Sequence, residues 1–220
     1  METINECNRM KEYKLPEQIN IPQTIILADG DFPSSSLAKE WLRECPYVVC
    51  CDGAANTYIR SGRMPEAIVG DGDSLLPDIK ERYASLIHSE AEQETNDLSK
   101  AFRFCLSQER KRITIMGATG KREDHTIGNV SLLADYMEQA EVSMMTDYGI
   151  FVPIREDSMF ESYIGQQISV FNMNSTALSA EGLAYPLSVF TNWWQGTLNE
   201  ALARHFIIRT EGKVLVFRVF

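Results

Sequence analysis

The sequence predicts an α/β protein with an all-β end: an N-terminal domain on a mostly parallel sheet, followed by a C-terminal β-sandwich. Three observations predict it. Strand-like and helix-like segments alternate from residue 24 to about residue 140, the pattern of a parallel sheet covered by helices. Four of the strands in that half end in Asp-Gly, Asp-Gly, Gly-Asp and Gly-Ala. From Glu141 onward the helical segments stop, and short runs rich in Val, Ile and Phe follow one another between Gly, Asn, Ser and Pro.

Each element has its own signal. "TIILADG" reads as a strand ending at Asp29-Gly30, and "SSSLAKEWLREC" as a helix with a serine ready to cap it. "YVVCCDG" is a second strand, ending at Asp52-Gly53, followed by a short helix at "AANTYIRSG". "EAIVGDGDS" is a third, ending at Gly70-Asp71; a helix starts at Pro77, and "SLIHS" is a short strand. In "NDLSKAFRFCLSQ", Leu98, Ala101, Phe102 and Cys105 fall at helical spacing. "RITIMGATG" is a strand, and a helix runs from about Ile127 to Met137. Beyond these, "EVSMMT", "GIFVPI", "QQISVFNM", "ARHFIIRT" and "KVLVFRVF" are strands, and "IIRTEGKVLV" reads as a hairpin turning at Glu211-Gly212. The chain thus divides into an N-terminal extension (1–23), an α/β domain (24–140) and a β-sandwich domain (141–220).

Composition bounds the function. With 220 residues the chain is long enough for one large or two modest domains. A net charge of −10 argues against nucleic acid as a partner. No apolar run approaches the roughly 18 residues that span a bilayer. The polar start "METINECNRMKEYKLPEQIN" has no apolar segment of the secretory kind, so a cytoplasmic protein is expected. The five cysteines are read as small buried residues of a reducing compartment. Cys50 and Cys51, adjacent on a strand, should point to opposite faces. No Cys or His pair has zinc-ligand spacing, and His88, His125 and His205 stand isolated.

The strand endings carry the chemistry. Ligands of open α/β sheets bind outside the carboxyl ends of the strands, so this pattern gathers acidic groups along one rim. Asp71 and Asp73 flank Gly72. Two carboxylates about 5 Å apart repel by roughly 3 kcal/mol at an effective dielectric of 20, but by only about 0.8 kcal/mol in water. Two readings fit: a solvated Asp-Gly-Asp turn, or a pair holding a hard cation such as Mg²⁺. In "ETNDLSKAF", Asn96 suits an N-cap and Asp97 the first helical turn. Asp97 and Lys100 are either a surface pair at i,i+3 or a metal ligand beside a phosphate contact. "MGATGKREDH" lies between a strand and a helix, and its glycines permit a turn around an anion. Its spacing is not that of a Walker A loop, nor does any strand precede G-x-G-x-x-G. Arg122 and Asp124 are either an ion pair or a phosphate contact beside the reacting centre. Trp193 and Trp194 in "TNWWQGTLNEAL" fit packing or a ligand platform.

In their order, "DGAAN" (52–56), "GDGDS" (70–74), "NDLSKA" (96–101), "GATGKREDH" (117–125) and "GTLNE" (196–200) resemble thiamine pyrophosphokinases. Each motif is weak singly; the ordered set is specific. The resemblance implies an N-terminal α/β domain, a C-terminal β-sandwich, and a homodimer with thiamine bound between subunits. It implies Mg²⁺ ligation by Asp71, Asp73 and Asp97. Nucleotide or phosphate contacts would come from Gln93, Lys100 and Arg122, with Asp52 and Asn56 on the same edge and Asp124 at the reacting centre. Thr197, Asn199, Trp193 and Trp194 would meet thiamine. The implied reaction moves a pyrophosphoryl group from ATP to the hydroxyl of thiamine and leaves AMP. The sequence departs from the family pattern at Leu198, where a serine is usual, and at Lys121, where a glycine is common. The alternatives are another Mg²⁺-dependent phosphotransferase or hydrolase, and a non-catalytic thiamine- or nucleotide-binding module.

Overall fold

The segments expected of the first half form where their residues dictate. A computed structural model describes residues 10–17, 20–89 and 94–220. It divides into one unit of Glu17–Val152 and a second that joins the described residues up to Pro16 with Pro153–Phe220. The first strand described, β1 (Lys11–Tyr13), belongs to that second unit.

Glu17–Val152 contains the α/β grammar. Strand β2 (Ile25–Leu27) is wholly buried and leads through a loop to α1 (Ser36–Glu44). The Ser35 side chain caps α1 by accepting from the Ala38 amide at 3.2 Å, and Ala38, Trp41 and Leu42 form its buried stripe. Next come β3 (Val48–Cys51), α2 (Ala54–Arg60), β4 (Ala67–Gly70), α3 (Pro77–Arg82) and β5 (Ile87–Ser89). Then follow α4 (Asp97–Ser107), β6 (Arg112–Met116), α5 (Glu123–Tyr136), β7 (Glu141–Met145) and β8 (Gly149–Ile154). Asn96 caps α4 by accepting from the Ser99 amide at 2.9 Å. Helix α5 starts at Glu123, earlier than periodicity alone predicts, because Glu123 and Asp124 suit the positive end of a helix.

Every neighbouring pair in the order β7-β6-β2-β3-β4-β5 is parallel, and β8 closes onto β7 antiparallel. Chain order runs one way from β2 to β5 and the other way from β2 through β6 to β7. The switch therefore lies between β2 and β6, where the connections diverge and leave a crevice at the carboxyl ends. Strand β3 is buried on both faces, so Cys50 and Cys51 are both enclosed although they point apart. The sequence places the change of grammar at 141, but β7 pairs with β6, so the first unit continues to Val152 and the division falls inside β8.

The second unit is rich in strands. It adds β9 (Ser158–Glu161), β10 (Gln167–Asn172), β11 (Leu178–Glu181), β12 (Asn199–Glu200), β13 (His205–Thr210) and β14 (Val214–Val219). One sheet has the order β1-β9-β13-β11, and in the other β10 pairs antiparallel with β12 and β14. The hairpin expected at Glu211-Gly212 does not form: β13 pairs with β9 and β11, whereas β14 pairs with β10. A β-carbon on Gly212, at φ +124, would lie 2.8 Å from Ser175 Cα, so the turn passes tightly against residues 174 and 175 and carries the chain from one sheet to the other.

The segment expected as an extension contributes to this unit. Strand β1 pairs parallel with β9, and Tyr13 stacks on Phe160, which stacks on Phe206. The buried Arg218 guanidinium donates to the carbonyls of Lys14 at 2.9 Å and Glu161 at 2.8 Å. No helix among the described residues is long and apolar enough to cross a membrane.

Candidate active site

Four strand ends meet around a cleft of about 390 Å³ in the first unit. Its wall includes Ala28, Asp29 and Gly30 after β2, and Cys51, Asp52 and Gly53 after β3. Ser74 follows β4, Asn96 and Asp97 open α4, and Ala118, Gly120, Lys121 and Arg122 follow β6. The acids of this wall are Asp29, Asp52 and Asp97.

Asp52 is the buried member of this rim, 4% exposed. Its Oδ2 accepts from the Ser74 amide at 3.0 Å, while Oδ1 is buried without a partner among the described residues. Burial pushes the Asp52 carboxyl above the usual carboxylate range; the Ser74 amide pulls it back, and the charges of Asp97 and Asp71 push it further up. A carboxylate so placed calls for a cation or a proton. Asp52 also holds a left-handed φ of +21, a conformation that non-glycine residues keep mainly where the surroundings enforce it.

The Asp71–Ser74 loop is braced from several sides. The Asp73 amide donates to Asp71 Oδ1 at 3.0 Å, which turns that carboxylate back over its own loop. Lys80 Nζ donates to the Gly72 carbonyl at 2.8 Å, and Asp73 lines a second hollow with Lys80 instead of the main cleft. Asn56 donates to the Ser74 carbonyl at 2.8 Å and accepts from the Leu76 amide at 3.0 Å, so its amide group holds the loop. Among the described residues no three His, Cys, Asp or Glu side chains are grouped closely enough to grip one metal ion. Asp71, Asp73 and Asp97 therefore do not form a ready three-carboxylate cage. Gln93 falls outside the described residues.

The cations in and beside the cleft, Lys100, Lys121 and Arg122, each have a carboxylate partner. Lys100, buried in α4, lies 3.1 Å from Asp97 Oδ1. Lys121 Nζ lies 3.0 Å from Asp29 Oδ1 and 2.9 Å from the Asp29 carbonyl. Arg122 meets Asp124 through two bonds, Nη2–Oδ2 at 2.5 Å and Nε–Oδ1 at 3.1 Å. The Arg122 guanidinium holds the exposed Asp124 carboxyl below the usual carboxylate range. The loop after β6 is tied to the loop after β2: Gly30 donates to Gly117 at 2.6 Å and Asp31 to Thr119 at 2.8 Å. Asn129 supports it from α5 by donating to the Ala118 carbonyl at 2.9 Å. Sequence reasoning missed Asn129 and the pairing of Asp29 with Lys121. Asp29 carried a signal, as the acid of the first strand ending; Asn129 carried none.

The residues expected near thiamine lie in the second unit. Trp193 and Trp194 sit in a 3₁₀ turn, Trp193–Gly196, with Trp194 73% exposed. Thr197 Oγ1 donates to the Trp194 carbonyl at 2.7 Å. The Asn199 side chain is buried and bonded to Tyr185 at both its oxygen and its nitrogen, so it positions Tyr185 instead of presenting a free amide.

Two family models match the chain: "Thiamin pyrophosphokinase, catalytic domain" over residues 38–145 and "Thiamin pyrophosphokinase, substrate-binding domain" over residues 149–217. The chain belongs to the thiamin pyrophosphokinase family. Among curated relatives, it is 30% identical over 129 residues to thiamine pyrophosphokinase 1 of Oryza sativa subsp. japonica, a match covering 47% of this chain and 49% of that protein. It is 29% identical over 148 residues to thiamin pyrophosphokinase 1 of Caenorhabditis elegans, covering 63% of this chain and 60% of that one. The matched region is thus between about half and three fifths of those relatives' length. The crystal structure of yeast thiamin pyrophosphokinase superposes with a TM-score of 0.77 at 17% identity, covering 96% of this chain and 91% of that chain. That of thiamine pyrophosphokinase from Bacillus subtilis superposes with a TM-score of 0.74 at 20% identity, covering 89% and 98%. At these identities the structures speak for the fold, an α/β part followed by a strand-rich part, as thiamin pyrophosphokinases have.

Proposed function

We propose that the chain is a thiamine pyrophosphokinase: it transfers a pyrophosphoryl group from ATP to the hydroxyl of thiamine, giving thiamine diphosphate and AMP. One observation carries the reading beyond family membership. Asp52 is a buried carboxylate with an unpartnered oxygen, at a cleft whose wall also holds Asp29, Asp97, Lys121 and Arg122. Such a site suits a polyanion that arrives with a divalent cation.

The donor set is entirely carboxylate oxygen, which fits Mg²⁺. Asp97, Asp71 and Asp73 would hold the ion, directly or through its water shell, with phosphate oxygens completing the set. When bound, it neutralises charge on the phosphate oxygens. The remaining work falls to the chain. Lys100 and Arg122 offset charge on the transferred group. Asp52 orients the Ser74 end of the loop, and Asn56 fixes that loop from below. Asp124, once released from Arg122, accepts a hydrogen bond from the attacking hydroxyl. Gln93 is assigned a nucleotide contact. Little covalent help is required, since phosphoryl transfer depends on in-line placement and stabilised charge.

Trp193, Trp194 and Thr197 are proposed to bind thiamine, with Asn199 keeping Tyr185 in place. A homodimer accords with the exposed apolar side chains of the second unit. Ile164, Tyr185, Leu198 and Leu202 are exposed in turns and bends joined by backbone bonds from Gly165 to Ala201, Ala184 to Glu200 and Leu202 to Gly182. Apolar side chains grouped in this way mark association surfaces. A cytoplasmic location is proposed from the sequence.

Chromatography of the products from ATP, Mg²⁺ and thiamine tests the reading. AMP and thiamine diphosphate should appear together and only when thiamine is present. ADP would indicate an ordinary kinase, ATP loss without thiamine a hydrolase, and binding without turnover a non-catalytic module.

A further inference from the structure

Lys121 holds a left-handed backbone conformation, φ +56, between Gly120 at φ +80 and Arg122. Glycine adopts that region freely, and a lysine there is strained. The side chain that carries the strain turns onto the adjoining loop after β2 and bonds both the carbonyl and the carboxylate of Asp29. Both side chains line the cleft and both are about half exposed.

We propose that Lys121 and Asp29 form a latch beside the cleft: the ammonium that bonds Asp29 passes to the phosphate chain of a bound nucleotide. The proposal rests on the nucleotide reading above. Among the three cation–carboxylate pairs, this is the one whose partners come from two different loops, both lining the cleft. Lys100 is 5% exposed and held against Asp97 within its own helix. Arg122 is engaged by two bonds with a residue two positions away. Lys121 instead bridges segments 92 positions apart on a long flexible stem. An ion pair this exposed contributes little stability and opens at small cost, whereas an ammonium on phosphate forms a charge-assisted bond. Release of Asp29 does not leave a buried charge, because its carboxylate is half open to solvent.

The test is calorimetric titration of the full chain with adenosine 5′-(α,β-methylene)triphosphate and Mg²⁺, an analogue whose α–β bridge cannot be cleaved. Lys121→Gly suits the local φ and should fold with an unchanged or higher thermal midpoint; Lys121→Met keeps the stem without the charge. Both should bind the analogue about tenfold more weakly, as loss of one charge-assisted contact implies. Asp29→Asn, which removes the competing carboxylate, should bind it equally well or more tightly. Undiminished binding by both lysine variants would overturn the latch. So would equal weakening by Asp29→Asn, since the pair would then serve only to pin the loop. Absence of binding by the unaltered chain would overturn the nucleotide reading itself, and the latch with it.

Discussion

Asp52 and Asp97 approach each other across Gly70: a β-carbon on that glycine would lie 2.8 Å from Asp52 Cβ and 3.4 Å from Asp97 Cγ. Strand β4 ends there at φ +154. The two acids arrive from different elements, β3 and the start of α4, and α4 packs against β3 and β4. The missing side chain at Gly70 is what lets them share one rim.

Gly70→Ala should therefore separate Asp52 from Asp97. Overpacking at so tight a point costs about 1–3 kcal/mol, and misplacement of reacting groups by about 1 Å lowers turnover by about two orders of magnitude. Urea unfolding and steady-state AMP formation measure the two effects. Full activity in the alanine variant would show that the spacing of the acids is immaterial.

Asp71→Asn and Asp73→Asn should each abolish thiamine-dependent AMP formation and leave the fold intact, because both side chains are exposed on a loop. Assays at saturating Mg²⁺, with circular dichroism as the control, decide the matter. Near-normal turnover by either variant removes that carboxylate from the metal assignment.

Asn56→Ala should act at a distance. It deletes two hydrogen bonds that hold Ser74 and Leu76, each worth about 1 kcal/mol, and it frees the loop that carries Asp71 and Asp73. The expected result is a modest loss of stability with a larger rise in the Mg²⁺ concentration needed for half-maximal rate. A stability loss with an unaltered Mg²⁺ requirement would show that the loop holds its shape unaided.

Alkali should loosen the first unit through two tyrosines. Burial pushes the phenols of Tyr58 and Tyr136 up to about 12, against about 10 in an unfolded chain. Between those values the unfolded chain releases protons that the folded chain keeps. Stability that is fully present below about pH 10 is therefore lost as pH rises toward 12. Tyrosinate absorbance of these two groups should appear together with unfolding, and Tyr136→Phe should flatten the dependence. Tyr136 ionising freely in a native protein would contradict its packing on Phe102 and its bond to Ser99.

The sequence by itself determined the α/β units, because strand and helix periods, caps and glycine turns act over a few residues. Ser35 capping α1, Asn96 capping α4 and the acids at the ends of β2, β3 and β4 were all legible from local chemistry. It also determined the family, through five short motifs in order. Only the tertiary structure decided where those pieces go. It took β1 into the second unit and continued the first unit past Glu141. It sent β13 and β14 into different sheets despite a hairpin-like Glu211-Gly212, since pairing partners lie far apart in the chain and a turn signal does not name them. In the site, it paired Lys121 with Asp29, directed Asn56 and Asn199 to backbone groups, and placed Asp52 rather than Asp73 beside Asp97. Those relationships depend on which strand ends adjoin and how closely glycine lets them approach, and local sequence encodes neither.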